Sequence, residues 1–515
     1  MIIGVNKMSG IPLITEKCAG SFVASAIGDA LGWPNEFNAR NITKKNQLLS
    51  DFIEWQRRSG GQYWNHTEKI LAGEYSDDTQ MNLAVARSIL SGKPWMDHLT
   101  SVELPFWLEY ERGGGGAMKR AAKSWEKKIK PWKGKDAKDY FNAGGNGAAM
   151  RILPHVISGI RYSNYENIAN EVVLDATLTH GHPRAIIGAL CYSYALYYLF
   201  TKKSILSFGE LVSAVIDAKV EWGRFPVNIE DEWLYIANSN FAYKNLWNDT
   251  VEATLHALEI VLTSLKKGAL DSESETLAAL CCFDKNINGA GDIAANAAIY
   301  LASKYANNPT LGIKSAANAI GSDTDTIASM TGGLLGAICG LDWIPAEWNI
   351  IQDYDCLIKI SDFLFLENGI EATKEFAANN KQKSDEAWER CPIGQYKQIS
   401  SYNLPSGKTG AIQISKYITL LGQTIYIKKY TREKIFEPIS TFTPEIPKRE
   451  SSFVIKSSLV GAIKKDSELS NISLLIILNI LELYSQETTD FDIIAKKTQI
   501  NISVVQKIIS FFVPN

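Results

Sequence analysis

Apolar residues from about Glu16 to Asn380 recur at helical spacing, with polar residues between them. This pattern predicts helices over Cys18–Leu31, Thr79–Leu90, Ala117–Lys128, Pro183–Phe200, Thr250–Leu265, Asp292–Tyr305 and Thr326–Gly340. Gly, Asn and Asp clusters fill the intervals, and no convincing strand alternation is found in this stretch. The pattern changes near Cys391. Ala411–Lys416 and Thr424–Tyr430 alternate or are β-branched, which predicts a small sheet. Ser440–Glu450 carries two prolines and mixed charge and reads as a linker. Leu459–Val513 reads as three short helices. The last two, Phe491–Thr498 and Ser503–Phe512, flank a turn as in a helix-turn-helix. The expected architecture is an all-α orthogonal helical bundle over 1–390, a small β-rich segment and linker over 391–450, and a helical, winged-helix-like module over 451–515.

Two predicted helices carry small residues at every fourth position: Gly20, Ala24, Gly28, Gly32 and Ala328, Gly332, Gly336, Gly340. Residues four apart share a helix face, and glycine there costs about 1 kcal/mol against alanine. Such stripes point to close backbone contact between central helices.

A chain of 515 residues exceeds one ordinary core, in keeping with two or three domains. With 46% hydrophobic and 21% charged residues it is a globular composition. A net charge of −3 argues against a globally basic nucleic-acid binder. From Gln395 onward there are 15 Lys+Arg and 10 Asp+Glu, a net of +5, all of it before Ser451. Nucleic acid held through 397–449 by Lys428, Lys429, Arg432 and Lys434 is therefore a secondary expectation, and the neutral tail fits a protein partner or self-association better. Seven cysteines form no C-x-x-C pair, which points to a reducing cytoplasm. No signal peptide is read at the start, and Ser473–Tyr484 is too short to span a bilayer.

The chemistry lies at two Asp-rich helix starts. Ser76-Asp77-Asp78-Thr79 and Gly321-Ser322-Asp323-Thr324-Asp325-Thr326 each hold more carboxylates than one N-cap needs. If the two starts meet, four carboxylates crowd together and need cations to stay ionised. Oxygen ligands without His or Cys suit Mg²⁺, with Mn²⁺ also fitting. Gly144-Gly145-Asn146-Gly147-Ala148-Ala149-Met150-Arg151 is a glycine turn whose N–H groups can approach phosphate. Gly113–Gly116 is a second glycine run, either a lid or a simple linker. In Thr179-His180-Gly181-His182-Pro183, His182 reads as a cap residue, and zinc lacks a third soft ligand. His66, His98, His155 and His256 read as scattered structural residues.

Together with Gly28-Asp29-Ala30-Leu31-Gly32-x-x-x-Glu36 upstream, these elements resemble the ADP-ribosylglycohydrolase family in kind and order, over roughly residues 16–345. The resemblance implies a compact all-α fold binding two Mg²⁺ ions, with Ser76, Asp77, Asp78, Asp323, Asp325 and Thr326 as ligands. It implies Glu36, Asp78 or Asp325 as the group that takes the proton of the attacking water. It further implies Gly114, Gly144, Gly145, Asn146, Gly147 and His180 at the ADP-ribose, with Asn146 the foremost contact. The expected reaction is hydrolysis of the C1″ glycosidic bond joining ADP-ribose to a modified acceptor, a protein side chain with arginine favoured. Alternatives are a non-catalytic ADP-ribose sensor signalling through the C-terminal module, and a hydrolase acting on ADP-ribosylated nucleic acid.

Overall fold

A computed structural model describes residues 11–36, 48–61, 63–133, 136–366, 387–406, 410–432, 490–498 and 501–512, with single residues 374, 376, 480 and 484. The chain divides into two compact units, Met1–Ile435 and Phe436–Asn515.

The first unit is mostly helical. The helices that position the site are α1 (Ile14–Gly32), α2 (Asp77–Leu90), α3 (Gly116–Glu126), α4 (Pro183–Thr201), α5 (Gly291–Lys304), α6 (Thr324–Cys339) and α7 (Tyr354–Phe365). All seven helices predicted from the sequence are present, six as α1–α6 and one as Tyr243–Lys266, with ends shifted by up to seven residues; α7 is not among those predicted. The small-residue stripes of α1 and α6 face each other. A methyl group built on Gly28 would lie 2.0 Å from the Ala328 carbonyl oxygen, and one on Gly336 would lie 2.2 Å from that of Gly20. Hydroxyls stitch the same seam: Ser21 Oγ donates to the Gly333 carbonyl at 2.6 Å, and Ser25 meets Ser329 at 2.9 Å. Both helices are buried almost throughout, and the apolar core extends from them through α4 and α5.

The expectation of no strand before residue 380 is corrected by a hairpin. β1 (Trp55–Ser59) and β2 (His66–Ile70) pair antiparallel, Trp55 opposite Ile70. In β2, inward His66, Glu68 and Ile70 alternate with outward Thr67 and Lys69. Two of the three inward residues are polar, so the alternation is invisible to a hydrophobicity pattern.

The predicted small sheet is present as β3 (Glu389–Cys391), β4 (Gly394–Ser406), β5 (Gly410–Thr419) and β6 (Thr424–Thr431), antiparallel in that order. It lies in the first unit, with both faces covered. Ile393, Tyr417, Ile425 and Ile427 join a cluster with Met81, Leu104 and Trp107 of the helical body. Ile412, Ile414 and Tyr426 pack against Trp64, Tyr402 and Leu404.

In the second unit, the described residues include α8 (Phe491–Thr498) and α9 (Ile502–Phe512), where helices were expected. Ile494, Val505, Ile508 and Ile509 are buried there. The linker at Ser440–Glu450 lies outside the described residues, as does the first of the three C-terminal helices apart from Ile480 and Tyr484. Among the described residues, no helix is long and apolar enough to cross a membrane.

Candidate active site

Asp29 sits near the end of α1, fully buried. Its two carboxylate oxygens accept from Ser76 N at 2.9 Å, Thr79 N at 3.0 Å and Thr79 Oγ1 at 2.6 Å. One carboxylate thus satisfies N–H groups at the start of α2, which helix geometry leaves without partners. Ser76 caps the same turn, its Oγ accepting from Asp78 N at 3.3 Å. Asp77 and Asp78 are thereby presented on a fixed turn.

The second Asp-rich start meets the first. Thr326 Oγ1 donates to Asp78 Oδ1 at 3.3 Å, and Thr324 Oγ1 donates to the Gly32 carbonyl at 2.9 Å, which ties α6 to the end of α1. A short 3₁₀ turn, Trp33–Asn35, follows α1 and delivers Glu36. Oxygens of Glu36, Asp323 and Asp325 lie within 4.8 Å of one another. The glycine turn joins them, with Asn146 Nδ2 donating to Asp323 Oδ2 at 3.0 Å.

These groups surround a cavity of about 300 Å³, within the range of small-molecule sites. Its lining includes the acidic groups Glu36, Asp77, Asp78, Asp323 and Asp325 and, adjoining them, Gly145, Asn146, Gly147 and His180. Thr326, Met150 of the glycine motif, Gly113, Gly115, Gly116 and Ala117 also line it, together with Met118 and Gly289, which the sequence reading did not single out. Gly114 and Gly144 are not among the lining residues. A methyl on Gly114 would strike the Trp107 ring at 2.4 Å, and one on Gly144 would approach His182. Ser76 is wholly buried in the turn it caps.

Charge is concentrated here. Burial, then Asp323, push Glu36 up to about 7. Burial raises Asp77 further, helped by Glu36 and Glu111, and raises Asp78 and Asp325 likewise, through neighbouring carboxylates. Arg57 of β1 is a cation whose field reaches both Glu36 and Asp77. His180 is buried and neutral, lowered to about 3 by desolvation and then by Arg151, and its Nδ1 meets Thr179 Oγ1 at 2.8 Å. A cation fits this donor set. The donors are all oxygen, Asp78 Oδ2 is buried without a hydrogen-bond partner, and among the described residues no Lys or Arg ion-pairs with the five acidic groups.

Behind the glycine turn, Arg151 donates through Nη1 to the Gly147 carbonyl at 2.8 Å and through Nε to Asp175 at 2.7 Å. His155 holds the other oxygen of Asp175 at 2.9 Å. His182 caps α4, accepting from Arg184 N at 3.1 Å. The Lys428 side chain is largely covered, its Nζ 2.8 Å from Glu68, so it is withdrawn from the basic surface expected to face nucleic acid; Lys434 lies outside the described residues. All seven cysteines are free.

Fold and site together define a helical protein with an acidic, cation-competent pocket walled by a glycine turn. The chain belongs to the ADP-ribosylglycohydrolase family, whose sequence profile matches residues 12–373, and it is a glycohydrolase. An ADP-ribosyl-[dinitrogen reductase] glycohydrolase from Rhodospirillum rubrum is 22% identical over 342 residues, covering 65% of this chain and 90% of that protein. The ADP-ribosylhydrolase ARH3 of Homo sapiens is 25% identical over 351 residues, covering 64% and 87%. A solved structure described as an ADP-ribosylglycohydrolase-related protein complex covers 68% of this chain and 98% of its own, at 19% identity and a TM-score of 0.44.

Proposed function

We propose that this chain removes ADP-ribose from modified protein side chains by Mg²⁺-dependent hydrolysis of the C1″ glycosidic bond. The observation that carries this reading is the convergence of Glu36, Asp77, Asp78, Asp323 and Asp325, from three distant segments, on one cavity that a glycine turn also lines. Ser76, Asp77, Asp78, Asp323, Asp325 and Thr326 are the proposed ligand set, with Glu36 beside it. When bound, Mg²⁺ supplies charge stabilisation and orients ribose hydroxyls and water.

The chain's own residues do the rest. Gly145 and Gly147 let backbone approach the diphosphate, and neutral His180 lies on the same wall without adding charge. Glu36 lines the cavity beside the ligand set rather than within it, so it is the proposed proton acceptor, while Asp78 and Asp325 are engaged as ligands. It takes one proton from water as the water oxygen bonds to C1″ and the bond from C1″ to the acceptor atom breaks. The proton then leaves with the acceptor. The surplus of carboxylates, Glu111 included, favours a cationic acceptor, and arginine is the one proposed first. The stretch 451–515, neutral in charge, is proposed as a helix-turn-helix-like module for a protein partner or for self-association.

The test is ADP-ribose release from ADP-ribosyl-arginine protein, ADP-ribosyl-serine peptide and ADP-ribosylated DNA and RNA, with Mg²⁺ or EDTA, beside Asp323→Ala. Metal-dependent release lost in the variant is the expected result. Silence on all substrates with ADP-ribose still bound would replace the enzyme reading by a sensor.

A further inference from the structure

The sheet Glu389–Thr431 lies beyond the stretch that matches the family, yet it reaches the back of the acidic turn. Three consecutive alternate residues of β6 do this. Lys428 Nζ pairs with Glu68 at 2.8 Å. The Tyr426 hydroxyl donates to Glu74 Oε1. Thr424 N donates at 2.8 Å to Asp353 Oδ2, which also accepts the Tyr75 hydroxyl at 2.6 Å. Glu74 and Tyr75 directly precede Ser76 and the carboxylate turn.

Arg112 closes the group. Its guanidinium is buried, with Nε 3.0 Å from Glu68, Nη1 3.0 Å from Glu74 and Cζ 4.0 Å over the Tyr426 ring. The next residue, Gly113, has φ +113°, and a methyl there would lie 2.6 Å from Asp77 Oδ1. Arg112 therefore joins two things that must keep register, the glycine rim of the cavity and the turn bearing Asp77 and Asp78. Arg112 lies between Glu68 and Glu74, and Tyr426 supplies the π face beneath it.

We propose that strand β6 positions the carboxylate turn of the active site, with Tyr426 and Lys428 fixing Arg112 and, through it, Asp77 and the Gly113 rim. These are positioning residues, remote from substrate. The inference rests on the metal-site reading given above. It implies that the appended sheet has become part of the catalytic unit, and that cation affinity and sheet order are coupled.

The test uses the full chain. Mg²⁺ affinity is measured by titration calorimetry for wild type, Tyr426→Phe and Lys428→Gln, each checked by circular dichroism for folding, with Asp323→Ala as the metal-site control. Partners directly behind a ligand are worth roughly 10–100-fold in metal affinity. Two steps back, Tyr426→Phe is expected to weaken Mg²⁺ about three- to tenfold, with Lys428→Gln in the same direction. A merely structural role would lower the unfolding midpoint and leave the affinity of the folded protein unchanged, and that result overturns the proposal. A second measurement needs no variant. Coupling is reciprocal, so Mg²⁺ should slow amide exchange in Thr424–Thr431 of wild type. Unchanged exchange there, with Mg²⁺ bound, also overturns it. Wild type that binds no Mg²⁺ would sink both this proposal and the metal-site reading; wild-type binding abolished by Asp323→Ala but untouched by Tyr426→Phe sinks this one alone.

Discussion

Alanine at Gly28 tests whether the α1–α6 seam sets the active site. In an open helix this change stabilises by about 1 kcal/mol, because glycine loses more backbone freedom on folding. Here the new methyl would lie 2.0 Å from the Ala328 carbonyl oxygen and 2.4 Å from its carbon. Ordinary carbon contacts sit at about 3.5–4.0 Å, so α1 and α6 must part by more than about 1 Å. Both obstacles are backbone, and no side-chain rotation absorbs the clash. Overpacking costs typically about 1–3 kcal/mol. With backbone on both sides the upper end applies, and a net loss of about 2 kcal/mol remains after the gain in helix propensity. The shift also moves Asp29, the next residue, off Ser76 N and Thr79 N, so cation affinity should fall along with stability. Urea unfolding followed by tryptophan fluorescence gives the first quantity, and calorimetric Mg²⁺ titration gives the second. A variant as stable as wild type, with an unchanged denaturant slope, would refute the reasoning.

Asp175→Asn breaks a buried pair with Arg151 and leaves that guanidinium without its anion; a loss of about 3–5 kcal/mol is expected, read as a lower urea midpoint, and an unchanged midpoint would contradict it. Glu36→Gln should lower hydrolysis by about 10²–10⁴-fold while ADP-ribose affinity is kept, and a smaller drop in turnover would remove Glu36 as the base. Burial pushes Glu68 up, but Arg112 and Lys428 more than reverse this and bring it from 4.5 to about 2. A carboxylate depressed in the folded state contributes stability that is complete above 4.5 and lost as pH falls toward 2. The wild-type unfolding midpoint should therefore drop more steeply across that window than that of Glu68→Gln, and parallel curves would count against it.

Much of the helical frame was legible because its signal is local. The stripes on Gly20–Gly32 and Ala328–Gly340 announced a close helix pair, and the two now meet backbone to backbone. The Asp-rich helix starts announced themselves by exceeding what a cap requires, and the structure brings them together. Asp29 was visible as part of a motif but not as the group that fixes the Ser76 turn. A lone carboxylate in an Ala- and Gly-rich helix was the available clue, since a buried charge needs partners. The hairpin at Trp55–Ile70 escaped because its inward residues His66 and Glu68 are polar. Arg112 and Lys428 escaped for the same reason: as isolated letters both read as surface, and only the fold brings Glu68 and Glu74 to them.

The α1–α6 seam also sets an order of events during synthesis. Ser21 bonds Gly333 across 312 positions of sequence. At about 5–20 residues per second, the ribosome reaches the partner of α1 roughly 15–60 s after α1 itself. Throughout that interval a helix with a bare small-residue face has no native surface to lie on. Helices made in between can pair locally, but the central crossing, and with it the meeting of Asp78 and Thr326, waits for nearly the whole family-matched region. Long-range closure of this kind is slow. The nascent chain is thus a natural client for chaperones, and hydrolase activity should appear in a coupled translation reaction only after a lag set by chain length.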